Sequence, residues 1–112
     1  MPRASTSKDA FSAIAEPRRR EIIDILKGGR SLAVGELVDR LGLSQPAVSK
    51  HLAVLRKVGI VEVTKDGQHR YYYLNPRELK VVHDWVKTYE QYWSHQLSRI
   101  KQRAEAKAKK QR

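Results

Sequence analysis

Two periods of apolar and polar positions succeed one another along the chain, and the changes of period mark its elements. From Lys8 to Ala15 the apolar residues Phe11, Ile14 and Ala15 fall on one side of a short helix, with Asp9 in its first turn. Pro17 opens a second helix, where its missing amide would be unpaired anyway. In PRRREIIDILKGG the stripe is Ile22, Ile25 and Leu26, with Ile23 flanking it and Gly28-Gly29 as the stop. A third helix is expected from about Ala33 to Leu41, burying Val34, Leu37, Val38 and Leu41, with Gly42 ending it and Leu43 as a single apolar plug. Ser44 is a strong N-cap for a fourth helix whose first turn is Gln45, Pro46 and Ala47. Its buried stripe is Val48, Leu52, Leu55 and Val58, flanked by Ala47 and His51 and closed by Gly59.

After Gly59 the period becomes alternating. Ile60 to Lys65 is β-branched, Asp66-Gly67 reads as a type I′ hairpin loop, and Gln68 to Leu74 is rich in aromatics. A two-residue loop there pairs Lys65 with Gln68 and Val61 with Tyr72. It turns Val61, Val63, Tyr72 and Leu74 toward the helices and leaves Lys65, Gln68 and His69 at the tip, with Arg70 one step behind. Asn75-Pro76 restarts a helix with Leu79, Val82, Val86, Tyr89, Trp93, Leu97 and Ile100 on one stripe, widened by Trp85 and Tyr92. From Pro76 to about Ala104 it spans roughly 43 Å. The pattern predicts a mainly α fold with a small β-hairpin: a winged helix-turn-helix with a long C-terminal helix. The expected organisation is a flexible arm at 1–7, the winged domain with a dimerisation helix at 8–95, and a basic helical or frayed tail at 96–112.

Composition narrows the chemistry. Among 112 residues, 23 Lys and Arg against 12 Asp and Glu give a net charge of +11, so a polyanionic partner is the first expectation. There is no cysteine, which removes disulfides, thiolate metal ligands and cysteine nucleophiles. No run approaches the roughly 18–20 apolar residues of a membrane span, and MPRASTSKDA lacks the apolar run of a secretory signal; a cytoplasmic location without membrane contact is expected. With no Gly-rich phosphate loop and no spaced acid/base pair, neither catalytic residues nor a cofactor are expected. From Gln96 to Arg112 there are seven basic residues and one acid, more than half of the net charge. That tail reads either as a solubilising end or as a phosphate-attracting arm.

Two short helices separated by a glycine turn, the second with a capped polar start, followed by a basic hairpin, suit double-stranded DNA. The face of the Ser44 helix away from its apolar stripe shows Gln45, Pro46, Ser49 and Lys50, with Arg56 and Lys57 at the far end. Gln45 can make paired hydrogen bonds to adenine, Ser49 can donate or accept, and Lys50 can reach guanine or a phosphate; Arg56 and Lys57 suit phosphates. Lys65, Gln68, His69 and Arg70 are placed to grip the neighbouring backbone or minor groove. His51 is expected to pack rather than read bases. A coater of DNA without a preferred site is the rival reading; a winged helix used only for protein contacts is disfavoured by this polar, basic face.

The last helix predicts a homodimer. Leaving its stripe wet would forfeit on the order of 10 kcal/mol of apolar burial, and a second copy is the economical cover. The expected interface is Phe11, Ile14, Leu79, Val82, Trp85, Val86, Tyr89, Trp93 and Leu97. Two-fold symmetry then sets two reading helices roughly 34–36 Å apart and predicts an inverted-repeat operator. The aromatic cluster reads as dimer core rather than as an organic-ligand pocket; the residues name no effector, operator sequence or sign of regulation.

The runs EPRRREIIDIL and ELVDRLGLSQPAVSKHLAVLRKVGIVEVTKDGQHRYYYLNP resemble the winged-helix repressors of the ArsR/SmtB family over about residues 10 to 95. The resemblance implies a homodimeric bacterial or archaeal transcriptional regulator, typically acting at palindromic operators near its own promoter and released by an effector. Two family features are missing. Where metal-sensing members carry a Cys-Val-Cys box, this chain reads Ala33-Val34-Gly35, which excludes arsenic, cadmium or lead sensing of that type. The family's zinc site on the last helix uses Asp-x-His and His-x-x-Glu pairs; here Val81 precedes His83, Val86 follows it, and Ser98 follows His95. No metal ligands are expected.

Overall fold

Stripes of branched aliphatic residues on four short helices meet in one core, and a small sheet closes it. The computed structural model describes residues 6–110. Its elements are α1 (Thr6–Ile14), α2 (Pro17–Leu26), β1 (Ser31–Leu32), α3 (Val34–Leu41), α4 (Gln45–Val58), β2 (Val61–Asp66) and β3 (His69–Leu74), then a single 3-10 turn (Pro76–Leu79) leading into α5 (Lys80–Lys110). They form two compact units, Met1–Val82 and His83–Arg112. Of the expected N-terminal arm, positions 1–5 lie outside the described residues, whereas Thr6 and Ser7 already belong to α1; Gln111 and Arg112 of the expected tail also lie outside them.

The core of the first unit follows the helical stripes. Ile22, Leu26, Leu37, Leu41, Val48, Leu52, Leu55 and Val58 are buried, and Ile23, Ile25, Val34, Val38 and Leu43 pack against them half-buried. From α1, Ala10 and Ala13 are buried and Ile14 rests on the same core, while Ala15, expected on that side, is exposed and lies past the helix end. Ile60, expected as the first strand residue, is instead a fully buried connector between α4 and β2: its amide donates to the Leu55 carbonyl and its carbonyl accepts from the Asn75 amide at 2.7 Å. Leu79, Val81 and Val82 complete the packing.

Of the three consecutive arginines of EPRRR, Arg19 and Arg20 close the α1–α2 corner. Glu16 accepts from the Arg18 amide at 3.1 Å and so caps α2, and Arg18 pairs with Glu21 at 3.1 Å. The Arg19 guanidinium donates to the carbonyls of Ala13 and Ser12, and that of Arg20 to those of Ile14 (2.6 Å) and Ala15 (3.3 Å). The last carbonyls of a helix have no partner within it, and a cation there also opposes the helix dipole.

The sheet is antiparallel with order β1-β3-β2, so the wing is a hairpin with a third, two-residue strand added to it. The hairpin register differs from the expected one. Asp66 pairs with His69, Lys65 with Arg70, Val63 with Tyr72 and Val61 with Leu74, so the two-residue loop is Gly67-Gln68. The reason is conformational. A type I′ loop at Asp66-Gly67 would need positive φ at both positions, but no residue other than glycine takes positive φ in the described chain. Placing Gly67 (φ 63°) first in the loop leaves Gln68 in an ordinary conformation, in the manner of a type II′ turn. The parity of the strands is unchanged: Val61 is buried, and Tyr72 and Leu74 pack on the core as the alternation requires.

The helix expected from Pro76 begins as the 3-10 turn, capped by Asn75, whose side chain accepts from the Arg77 amide at 3.2 Å. The second unit is the remainder of α5. Its stripe stays open: Trp85 is 54%, Trp93 51%, Leu97 64% and Ile100 60% exposed. Trp85 and Tyr89 meet edge-to-face at 5.4 Å.

Because Gly67 alone carries the positive φ of the turn, Gly67→Ala is expected to destabilise the fold by about 1–2 kcal/mol. Asp66→Ala, in extended backbone, is expected to stay within about 0.5 kcal/mol of the parent. Chemical denaturation of the two variants checks the placement of the loop.

Candidate nucleic-acid interface

Burying Val48, Leu52, Leu55 and Val58 turns the opposite side of α4 outward. Ser44, Gln45, Pro46, Ser49, Lys50, Arg56 and Lys57 are all exposed, as the helical spacing requires, and His51 is half-buried at the edge of the stripe. The helix start is held by Ser44, whose hydroxyl accepts from the Ala47 amide at 3.3 Å, and by Pro46 in the first turn. At the other end Gly59 takes φ 92°, and its amide bonds the Leu55 and Arg56 carbonyls. The exposed face of α4 is thus bounded at both ends by caps.

The wing comes against the start of this face. Gln45 and Ser49 of α4, Ala33 and Val34 before and in α3, and Gln68, His69, Arg70 and Tyr72 of the hairpin line one open trench of about 400 Å³. Sequence reasoning named Gln45, Ser49, Gln68, His69 and Arg70 separately, and the fold gathers these five. Lys50, Arg56 and Lys65 lie outside the trench lining, and Lys57 borders a different hollow, of about 230 Å³, with Ser12, Ala13, Val54 and Val58. Tyr72 was assigned to the core alone; half-buried, it serves both the core and the trench wall. Its place among aromatics on an alternating strand could not distinguish the two.

The wing carries an electrostatic conflict. Lys65 and Arg70 are direct cross-strand partners on one face, both exposed, and like charges opposite each other destabilise a strand pair. An anion placed between them would relieve that repulsion. On the other face Glu62 ties the base of the wing: one oxygen accepts from the Tyr73 hydroxyl at 2.9 Å and the other from the Asn75 side chain at 3.2 Å. This network was not foreseen, because the expected register set Glu62 opposite Tyr71 rather than Tyr73.

A reading helix capped and packed behind, a shorter helix before it and a basic hairpin beside it define a winged helix-turn-helix regulator of transcription. The chain belongs to the ArsR family. The profile of the bacterial regulatory proteins of the arsR family matches residues 16–63, from the start of α2 into β2. The chain is 35% identical over 78 residues to the transcriptional repressor SdpR of Bacillus subtilis, covering 70% of this chain and 86% of SdpR. It is 44% identical over 72 residues to the transcriptional activator HlyU of Vibrio cholerae, covering 64% and 66% of the two chains. The solved structure of an ArsR-like transcriptional regulator from Rhodococcus sp. RHA1 superposes with a TM-score of 0.69 at 31% identity, covering 90% of this chain and 92% of that one. The protein is therefore a DNA-binding transcriptional regulator and not an enzyme. Among the described residues no helix is long and apolar enough to cross a membrane.

The Glu62 carboxylate accepts the phenolic hydrogen bond and places negative charge beside it, so Tyr73 ionises above the usual tyrosine value. A raised folded value means that this bracing is complete below the ordinary tyrosine pKa and is lost as pH climbs through the folded one. Glu62→Gln is expected to bring the Tyr73 ionisation back down toward the ordinary range, read as the difference in ultraviolet phenolate titration between Glu62→Gln chains with and without Tyr73→Phe.

Proposed function

We propose that the protein acts as a homodimer that binds an inverted-repeat operator and represses transcription, its own included. In this reading Gln45 and Ser49 read base edges from the start of α4, Lys50 reaches guanine or phosphate, and Ser44 and Pro46 fix the helix start against the groove. Arg56 and Lys57 hold the phosphate backbone, and Lys65, Gln68, His69 and Arg70 carry the wing contacts. The observation that carries the proposal is the trench itself, in which polar groups of the reading helix and basic groups of the wing face one strip of solvent. The relative SdpR is a transcriptional repressor, which agrees with a dimer that blocks a promoter by occupancy.

The second copy is proposed to cover the α5 stripe of Trp85, Val86, Tyr89, Trp93 and Leu97. Phe11 and Ile14 of α1, Leu79 and Val82 are half-buried, and Ile14, Leu79 and Val82 already lean on the first unit's own core, so the exposed α5 residues carry most of the surface to be covered. Trp93→Glu is expected to shift the protein to monomer in sedimentation while leaving the first unit folded by circular dichroism.

Regulation of this chain does not pass through thiolates in the proposal. Ala33-Val34-Gly35 stands in the place of the family's cysteine box, and Ala33 serves there as the N-cap of α3 with its amide bonded to Glu36 at 3.4 Å. His83 and His95 are exposed on α5, about 120° apart at about 100° per residue.

Binding to the DNA upstream of its own gene, in competition with a scrambled duplex, tests the operator reading; equal affinity for both would overturn it. Replacing Gln45 and Ser49 with Ala is expected to relax discrimination between bases by about 1–3 kcal/mol. Arg70→Ala should weaken every duplex alike and lower the salt slope by about 1.8, at about 0.9 for each of the dimer's two wings.

A further inference from the structure

The apolar stripe of α5 ends at Ile100, yet the helix continues to Lys110. Those last turns have no large apolar residue to bury, and Ala104, Ala106 and Ala108 sustain them by propensity alone. Their cations are arranged. Arg99, Arg103 and Lys107 stand at i, i+4 and i+8, which keeps them within about 80° of one another around the axis at about 100° per residue. The one acid of the segment, Glu105, lies a turn from Lys101 on the opposite side, so it offsets Lys101 and leaves that row uncompensated. All four basic side chains are exposed, and among the described residues none has a side-chain hydrogen bond or ion pair.

This differs from the first unit, where Arg18, Arg19 and Arg20 are consumed by Glu21 and by the carbonyls of α1. Like charges at i, i+4 weaken a helix on their own. The row therefore repeats the unrelieved repulsion of Lys65 and Arg70 in the wing, and in both places a polyanion removes it. Duplex DNA carries a charge about every 1.7 Å of its axis, whereas the row presents a cation about every 6 Å at an α-helical rise of about 1.5 Å. Contact between the two requires charge and no particular base.

We infer that the Arg99–Arg103–Lys107 row is a second DNA contact, bound to phosphates and blind to sequence. The inference rests on the DNA-binding reading above and extends it from the winged unit to the end of α5. Through this contact the protein gains affinity for all duplexes by the same factor, and its selectivity stays with α4.

The test compares the full chain with a triple variant, Arg99→Gln, Arg103→Gln and Lys107→Gln, which keeps helix propensity close to the original. The probes are a duplex from the region upstream of its own gene and a scrambled duplex of equal length, each titrated across a series of salt concentrations. The slope of log affinity against log salt is expected to fall in magnitude by about 5 on both duplexes, at about 0.9 for each phosphate held by the two rows of the dimer, with their affinity ratio unchanged. Lysine at positions 99 and 103 in place of arginine should keep the slope. Equal helix content and sedimentation in parent and variants exclude a folding effect.

Coincident slopes would overturn the inference, as would a loss confined to one duplex, or a loss seen with anionic phospholipid vesicles and not with DNA. If the parent discriminates the duplexes and the slope does not change, this contact alone fails. If the slope falls but the parent never discriminates, the operator reading fails and the contact stands. Absence of duplex binding by the parent would overturn both.

Discussion

The stripe of α4 decides what the molecule can present. Val48, Leu52, Leu55 and Val58 are spaced for one side of a helix, and all four are buried. At about 1.5–3 kcal/mol for each large aliphatic side chain, no rotation of α4 that would hide Gln45 and Ser49 competes with the native one. The caps at Ser44 and Gly59 then fix where the helix starts and stops. Polar exposure of the reading face is thus a by-product of apolar burial behind it.

Charge acts on top of that scaffold, unevenly. A net +11 suggests a uniform attraction to polyanions, but the fold divides its cations into those with internal work and those without. The EPRRR arginines serve the corner between α1 and α2. Lys65 and Arg70 face each other across the wing with nothing of opposite sign on their face. The same residue types therefore hold the fold together in one place and repel each other in another, and only their surroundings distinguish them.

Helix positions were legible because each helix has its own stripe and a glycine or capping residue at its limits, and the trench residues of α4 followed as the complement of the stripe. The hairpin register was not legible to the residue, since Gly67 can stand first or second in a two-residue loop and both choices keep Val61, Val63, Tyr72 and Leu74 on one face. Ser31–Leu32 escaped notice because two residues carry no period. The joining of Gln45 and Ser49 with Gln68, His69 and Arg70 depends on how the wing leans on α3 and α4, which is a tertiary matter. The function of Arg19 and Arg20 was equally hidden, since their partners are backbone carbonyls, which every sequence has.

The corner between the first two helices has one more consequence. The Arg19 guanidinium is a planar fork, and its Nε and Nη2 each reach a different carbonyl oxygen of α1. Arg19→Lys would conserve sign yet lose that two-nitrogen grip, because an ammonium presents one nitrogen and not a fork. Position 19 is accordingly closed to the exchange usually regarded as harmless.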